Sequence, residues 1–185
     1  MPNFTKMAIK ATFIRLLDEK PLSQITVKDI VEECGVNRNS FYYHFQDIPT
    51  LVEEIVTEEA DRIIAQYPSI DSIETCLMAA LAFARENRRA VLHIYNSTNR
   101  AIYEQYLWKV CRHVVSVYGE VAFAGKDITD SDKDVIIQFY KCECFGMVIE
   151  WMNDGMNSDM PRRVKRLCEL RKGLLDKMIE RSQES

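Results

Sequence analysis

Twelve consecutive residues, Gly35 to Gln46, contain no carboxylate, and seven of them, Arg38-Asn39-Ser40-Phe41-Tyr42-Tyr43-His44, bring together a guanidinium, an amide, three hydroxyls and an imidazole. These are the side chains that hydrogen-bond to phosphate oxygens and to the edges of bases. Phe41 and Phe45 stand four apart. On a helix both turn inward together, which leaves Arg38, Asn39, Ser40, Tyr42, Tyr43 and His44 on the remaining surface. Such a face suits a nucleic acid; the same pattern also fits a solvated helical hairpin with no ligand.

The preceding residues position that helix. Thr26 is an N-cap and Asp29, three residues on, is the acidic partner of a capping box, after which Val27, Ile30 and Val31 give one apolar stripe over about two turns. Gly35 follows Cys34 where the backbone must leave the helix through positive φ, and Val36 can plug the angle between two helices. Thr26 to Phe45 therefore reads as a helix-turn-helix.

The run I-T-V-x-D-I-x-x-x-x-G-V-x-x-x-x-F-Y-Y-H-F-x-D, Ile25 to Asp47, resembles the DNA-binding head of the TetR family of bacterial transcriptional regulators. The wording VNRNSFYYHF is similar to the branch that includes the dihydroxyacetone-kinase regulators. The resemblance implies an all-helical homodimer that binds double-stranded DNA at a palindromic operator and answers to a small-molecule effector, most often as a repressor. It implies that Thr26 and Tyr42 bond phosphates, that Lys28 and Arg38 reach base edges, and that Asn37, Asn39, Ser40, Tyr43 and His44 share the remaining contacts. Two positions depart from the family pattern. Asn39 stands where a glycine or small residue is usual, and Ile48 stands where a lysine is usual, which removes one phosphate contact. Some members of the similar branch dock another regulatory protein, so a coactivator without DNA binding is the alternative reading.

Composition is compatible with both. The chain has 185 residues, 47% of them apolar, and a net charge of −4, which argues against nonspecific coating of nucleic acid. Residues 1–47 hold six basic side chains (Lys6, Lys10, Arg15, Lys20, Lys28, Arg38) and six acidic ones (Asp18, Glu19, Asp29, Glu32, Glu33, Asp47), so the formal negative charge lies in the remainder. Six scattered cysteines, with no signal peptide and no long apolar run, point to a reducing, cytoplasmic compartment and to no membrane partner.

The rest reads as helix after helix, about nine in all, with a head over 1–47 and a regulatory and dimerisation body over 48–185. Thr5 to Lys20 is a first helix ended by the Lys20-Pro21 step; Asp47 caps a long fourth helix with Pro49 in its first turn. Asp71 or Ser72 starts the next, Ala90 to Tyr95 is short, and Thr98 to Tyr118 is long. A loop is expected over Gly119 to Ile128, then a helix capped by Thr129 and Asp132 that stops at Gly155, then a last helix with Pro161 in its first turn.

The penultimate helix is apolar on two sides. Ile136, Tyr140, Met147 and Trp151 face one way, and Val135, Cys142, Phe145, Ile149 and Met152 another, so it needs two partners: its own core and a second subunit, or, as a fully internal helix of a monomer, the same chain on both sides. Gly146 in its middle costs about 1 kcal/mol against alanine, which fits close approach by another helix. The resemblance places a dimer's four-helix bundle on the last two helices, adding Val164, Leu167, Leu174, Leu175 and Met178. Met78, His93, Tyr95, Tyr103, Trp108, Tyr140, Met147 and Trp151 are candidate lining for an effector pocket, or simply core. No cofactor, metal or catalytic residue emerges: on a helix, Cys142 and Cys144, or Cys111 and His113, point about 200° apart, and neither a phosphate-cradling glycine loop nor a nucleophile elbow is present.

Overall fold

The computed structural model describes residues 4–69 and 73–184. Among them lie ten α-helices, one 3-10 turn at Leu22–Gln24, and no strand. In chain order the helices are α1 Phe4–Glu19, α2 Val27–Cys34, α3 Arg38–His44, α4 Ile48–Gln66, α5 Ile73–Glu86, α6 Arg88–Tyr95, α7 Arg100–Phe123, α8 Asp130–Asn153, α9 Met160–Leu170 and α10 Leu174–Gln183. The starting residues expected for the fifth helix, Asp71 and Ser72, lie outside the described residues. Two compact units emerge: Met1–Glu59 with Glu86–Tyr106, and Ala60–Arg85 with Leu107–Ser185.

In the first unit α1 packs across α2 and α3 and also against α6. Its core joins Ile9, Phe13 and Leu17 of α1 to Ile30 and Val31 of α2, Phe41 and Phe45 around α3, and Leu51 and Val52 of α4. Lys6 and Lys10 of α1 both pair with Glu54 of α4, Lys6 at 2.5 Å, and Lys10 also reaches Glu58 at 2.6 Å. Asp47 caps α4 by accepting the Thr50 N–H at 2.8 Å. The His93 ring donates through Nδ1 to the Leu17 carbonyl, 2.7 Å away, which ties α6 to the end of α1.

In the second unit, Ile63, Ile64, Cys76 and Tyr118 form one cluster, and Ala122, Phe123, Ile128, Ile136 and Ile179 another. The loop expected from Gly119 is helix instead, and α7 continues to Phe123. A Cβ at Gly119 would lie 3.2 Å from the Phe123 ring and 3.5 Å from Ile137 of α8, so the glycine marks close packing rather than a break. Thr129 and Asp132 cap α8 as expected, the Asp132 N–H donating to Thr129 Oγ1 at 3.1 Å. The last helix is two. Gly173, at φ +79°, separates α9 from α10, because the left-handed conformation cannot sit inside a right-handed helix. Buried Cys111 of α7 and Cys144 of α8 share a hydrogen bond, which pushes the Cys111 thiol up and the Cys144 thiol down. Among the described residues no helix is long and apolar enough to cross a membrane, and no group of three or more His, Cys, Asp and Glu side chains is placed to hold a metal.

Candidate nucleic-acid interface

The two-helix element is fixed at both helix starts and at the turn. The Asp29 N–H donates to Thr26 Oγ1 at 3.2 Å while the Thr26 N–H donates to Asp29 Oδ2 at 2.8 Å, a reciprocal capping box. The Thr26 hydroxyl and then its N–H hold the Asp29 carboxyl below the usual carboxylate range, with Lys20 adding to them. Gly35 takes φ +72°, and the Val36 N–H returns to the Val31 carbonyl at 2.9 Å. Asn37 caps α3 by accepting both the Ser40 N–H (2.8 Å) and the Ser40 hydroxyl (3.1 Å). Its side-chain carbonyl is therefore committed, and only its amide N–H groups remain for a ligand.

Burial of Phe41 and Phe45, 0% and 1% exposed, pins the rotation of α3. Arg38, Asn39, Tyr42 and Tyr43 are consequently exposed, Tyr43 at 83%, and Ser40 and His44 are half-exposed. Arg38 and Tyr42, and Asn39 and Tyr43, are four apart and so form one continuous patch. Thr26, Lys28 and Asn37 are exposed as well.

The charges of the head are almost all spent internally. Besides Lys6 and Lys10, Arg15 pairs with Glu33 at 2.7 Å and Glu19 at 3.3 Å, Lys20 with Asp29 at 3.7 Å, and Lys28 with Glu32 at 3.7 Å. Among the described residues Arg38 is the one basic side chain of the first 47 without a carboxylate partner. A count of charge in the sequence shows a neutral head; it misses that the uncompensated cation sits on the acid-free face of α3.

The body candidates divide between the two units. His93, Tyr95 and Tyr103 belong to the first, where Tyr95 carries Arg100 over its ring at 4.0 Å and burial pushes the Tyr103 hydroxyl up to about 12. Met78, Trp108, Tyr140, Met147 and Trp151 belong to the second. There Trp151 is 2% exposed and donates to the Ser158 carbonyl at 3.2 Å, Tyr140 packs on the Ile136–Ile179 cluster, and Trp108 meets Phe145 edge-on at 4.9 Å. Met78 and Met147 are half-buried.

Of the candidate contact residues for a second copy, Val135, Cys142, Gly146 and Leu174 are exposed, and Phe145, Ile149, Met152 and Leu167 are half-buried. Leu175 and Met178 pack partly on the chain's own core, and Val164 is buried in it. Phe139, 47% exposed between Val135 and Cys142, completes the open stripe of α8. Its signal was present in the sequence, since Val135, Phe139, Cys142 and Gly146 follow helical spacing.

Comparison with known proteins places this architecture. Residues 10–55 match the family profile described as bacterial regulatory proteins, tetR family, and residues 71–173 match one described as a transcriptional regulator C-terminal region of the same family. An uncharacterized HTH-type transcriptional regulator of Bacillus subtilis, YxbF, is 19% identical over 163 residues, 83% of this chain and 41% of that protein. The HTH-type transcriptional regulator EthR of Mycobacterium tuberculosis is 33% identical over 61 residues, 33% of this chain and 26% of that protein. The chain thus spans less than half the length of these curated relatives. Among solved structures, the dihydroxyacetone kinase operon activator DhaS has a TM-score of 0.70 at 17% identity, covering 94% of this chain and 97% of that one. A TetR transcriptional regulator from Rhodococcus sp. RHA1 has a TM-score of 0.64 at 16% identity, covering 90% and 94%.

Proposed function

The chain belongs to the TetR family of bacterial transcriptional regulators, and from that premise we propose that it is a cytoplasmic, ligand-responsive repressor that binds a palindromic operator as a homodimer. The observation that carries the DNA reading is the exposed, acid-free face of α3 with Arg38 uncompensated upon it. Arg38 and Lys28 reach base edges, Arg38 by the bidentate pairing that guanidinium makes with guanine. Thr26 and Tyr42 hold phosphates, and Asn37, Asn39, Ser40, Tyr43 and His44 share the remaining contacts. Residues 1–47 act as the DNA-binding domain and 48–185 as the regulatory and dimerisation domain.

The open stripe of α8 supports the dimer. Val135 is 61% and Phe139 47% exposed, and a Cβ placed on Gly146 meets nothing within 4 Å. Among the described residues nothing of the same chain fills the space that Gly146 leaves, which supports close approach there by a helix of a second copy. Two-fold pairing presents two copies of α3, about 34 to 36 Å apart when they match successive major grooves, which is why the operator is palindromic. An effector in the body favours a dimer whose heads no longer match that spacing, and operator affinity falls by the difference in its binding energy to the two states.

Footprinting on a duplex selected by the protein from a random pool tests this reading. Two protected half-sites about one helical turn apart are expected, with affinity that falls steeply as salt rises. A single unpaired half-site, or binding indifferent to salt, would overturn it.

A further inference from the structure

Lys141 lies in mid-α8 and is only 3% exposed, yet it has no carboxylate partner among the described residues. Its ammonium sits 3.9 Å from the centroid of the Trp108 ring and donates to Gln138 Oε1 at 2.5 Å. Buried charges in proteins are ordinarily paired, because one amide oxygen and a ring face replace only part of the hydration an ammonium loses. Gln138 joins this ammonium to an open groove of about 360 Å³ between α7 and α8, lined by Arg112, Asp134, Val135, Ile137 and Gln138. Arg112 stands one helical turn from Trp108 on α7, and its carboxylate neighbour there among the described residues, Asp134, is 4.0 Å away and 77% exposed. One weakly paired cation, Arg112, therefore lines the groove beside apolar walls, and a second without an ion pair, Lys141, lies buried behind Gln138 at its edge.

We propose that this groove is an effector site for a small organic anion, a carboxylate or a phosphate monoester, whose charge displaces Gln138 from Lys141 and engages Arg112 while its apolar body rests on Val135 and Ile137. The proposal deepens the reading of the chain as effector-responsive and rests on it. Val135 belongs both to the groove and to the open stripe of α8, so an anion seated there acts directly on the surface assigned to the second copy.

The test uses the full chain with benzoate and phenyl phosphate as probes, and benzamide and phenol as neutral counterparts of similar shape. Trp108 reports occupancy by its fluorescence; the other tryptophan, Trp151, is buried and bonded elsewhere, and a Trp108→Phe variant removes the signal. Both anions should change the emission saturably and raise Tm by about 3 to 6 °C at ten times their Kd, while the neutral compounds do neither. Lys141→Met should weaken anion binding at least about tenfold and, without anion, melt at or above the wild type, since it removes a poorly compensated buried charge. Arg112→Gln should weaken binding less.

Equal anion binding by Lys141→Met, equal response to benzoate and benzamide, or no saturable response to either anion would overturn the proposal. So would an anion-free Lys141→Met that melts below the wild type, which would make Lys141 a structural cation. If dilution alone shifts the Trp108 emission in the wild type but not in Lys141→Met, the ammonium is served by a carboxylate of a second copy and the proposal falls. None of these readouts involves DNA: anion binding that leaves operator affinity unchanged would sink the effector reading while the site itself stood.

Discussion

Arg38 has the chemistry of a base-reading residue because the residues around it have been kept from neutralising it. Its neighbours on α3 are amides, hydroxyls and rings, and the other cations of the head are engaged with Glu19, Glu32, Glu33, Asp29, Glu54 and Glu58. Replacing Arg38 with alanine should cost about 1 to 3 kcal/mol of operator affinity at one base position. It should leave Tm and the dimer unchanged, because the side chain is exposed and holds nothing in the fold. Titrating wild type and Arg38→Ala against single-base operator variants checks this; an unchanged base preference would mean that α3 presents another residue to the groove. Asn39, bulkier than the family's usual residue, lies on the same exposed patch. Nothing in the unbound structure crowds it there.

At the scale of elements, the turn between α2 and α3 depends on Gly35. With φ at +72° and open space around a would-be Cβ, Gly35→Ala meets no clash and costs only the backbone term, about 1 to 2 kcal/mol. Thermal melts should show that loss, and the melted head should lose DNA binding with it. A second element-level tie joins α1 to α4. Burial pushes the Glu54 carboxyl up, but hydrogen bonds and charge from Lys10 and Lys6 outweigh it and hold the group below the usual range. A carboxyl whose folded pKa is depressed contributes stability that is present above its unfolded value of about 4.3 and is lost as pH falls through the folded value. Urea midpoints should therefore separate wild type from Glu54→Gln near neutrality and converge in acid; curves that stay parallel would deny the tie. Much of this level was legible in the chain. Thr26 with Asp29, Thr129 with Asp132, and Gly35 announce themselves, because caps and left-handed turns are local chemistry. The break at Gly173 was not, since Leu167, Leu174, Leu175 and Met178 still sum to one helical face, and a periodic stripe does not register a three-residue interruption. Of the ion pairs that leave Arg38 uncompensated, Arg15 with Glu19 and Lys28 with Glu32 are local, whereas Lys10 and Glu54 are 44 residues apart and only the packing of α1 on α4 brings them together.

At the scale of the whole molecule, the proposed function requires two copies, and the exposed Val135 and Phe139 of α8 are the apolar surface proposed to meet the second. Phe139→Lys places a charge in the middle of the open stripe and should yield a monomer by sedimentation, with operator binding lost although α3 is untouched. Gly146→Ala separates propensity from packing: it should raise the stability of the isolated chain by about 1 kcal/mol while weakening the dimer, because the added methyl enters the space the second copy needs. A dimer strengthened by both changes would place the interface elsewhere. The central claim is that a folded homodimer of this chain reads a two-fold DNA site, and the most direct measurement is selection from a random duplex pool at moderate salt, followed by titration of the enriched sequence. The account predicts a palindrome with half-sites about one turn apart, bound tightly by the wild type and poorly by Phe139→Lys. No enrichment by protein shown to be folded and dimeric, with or without the anion probes, would contradict it.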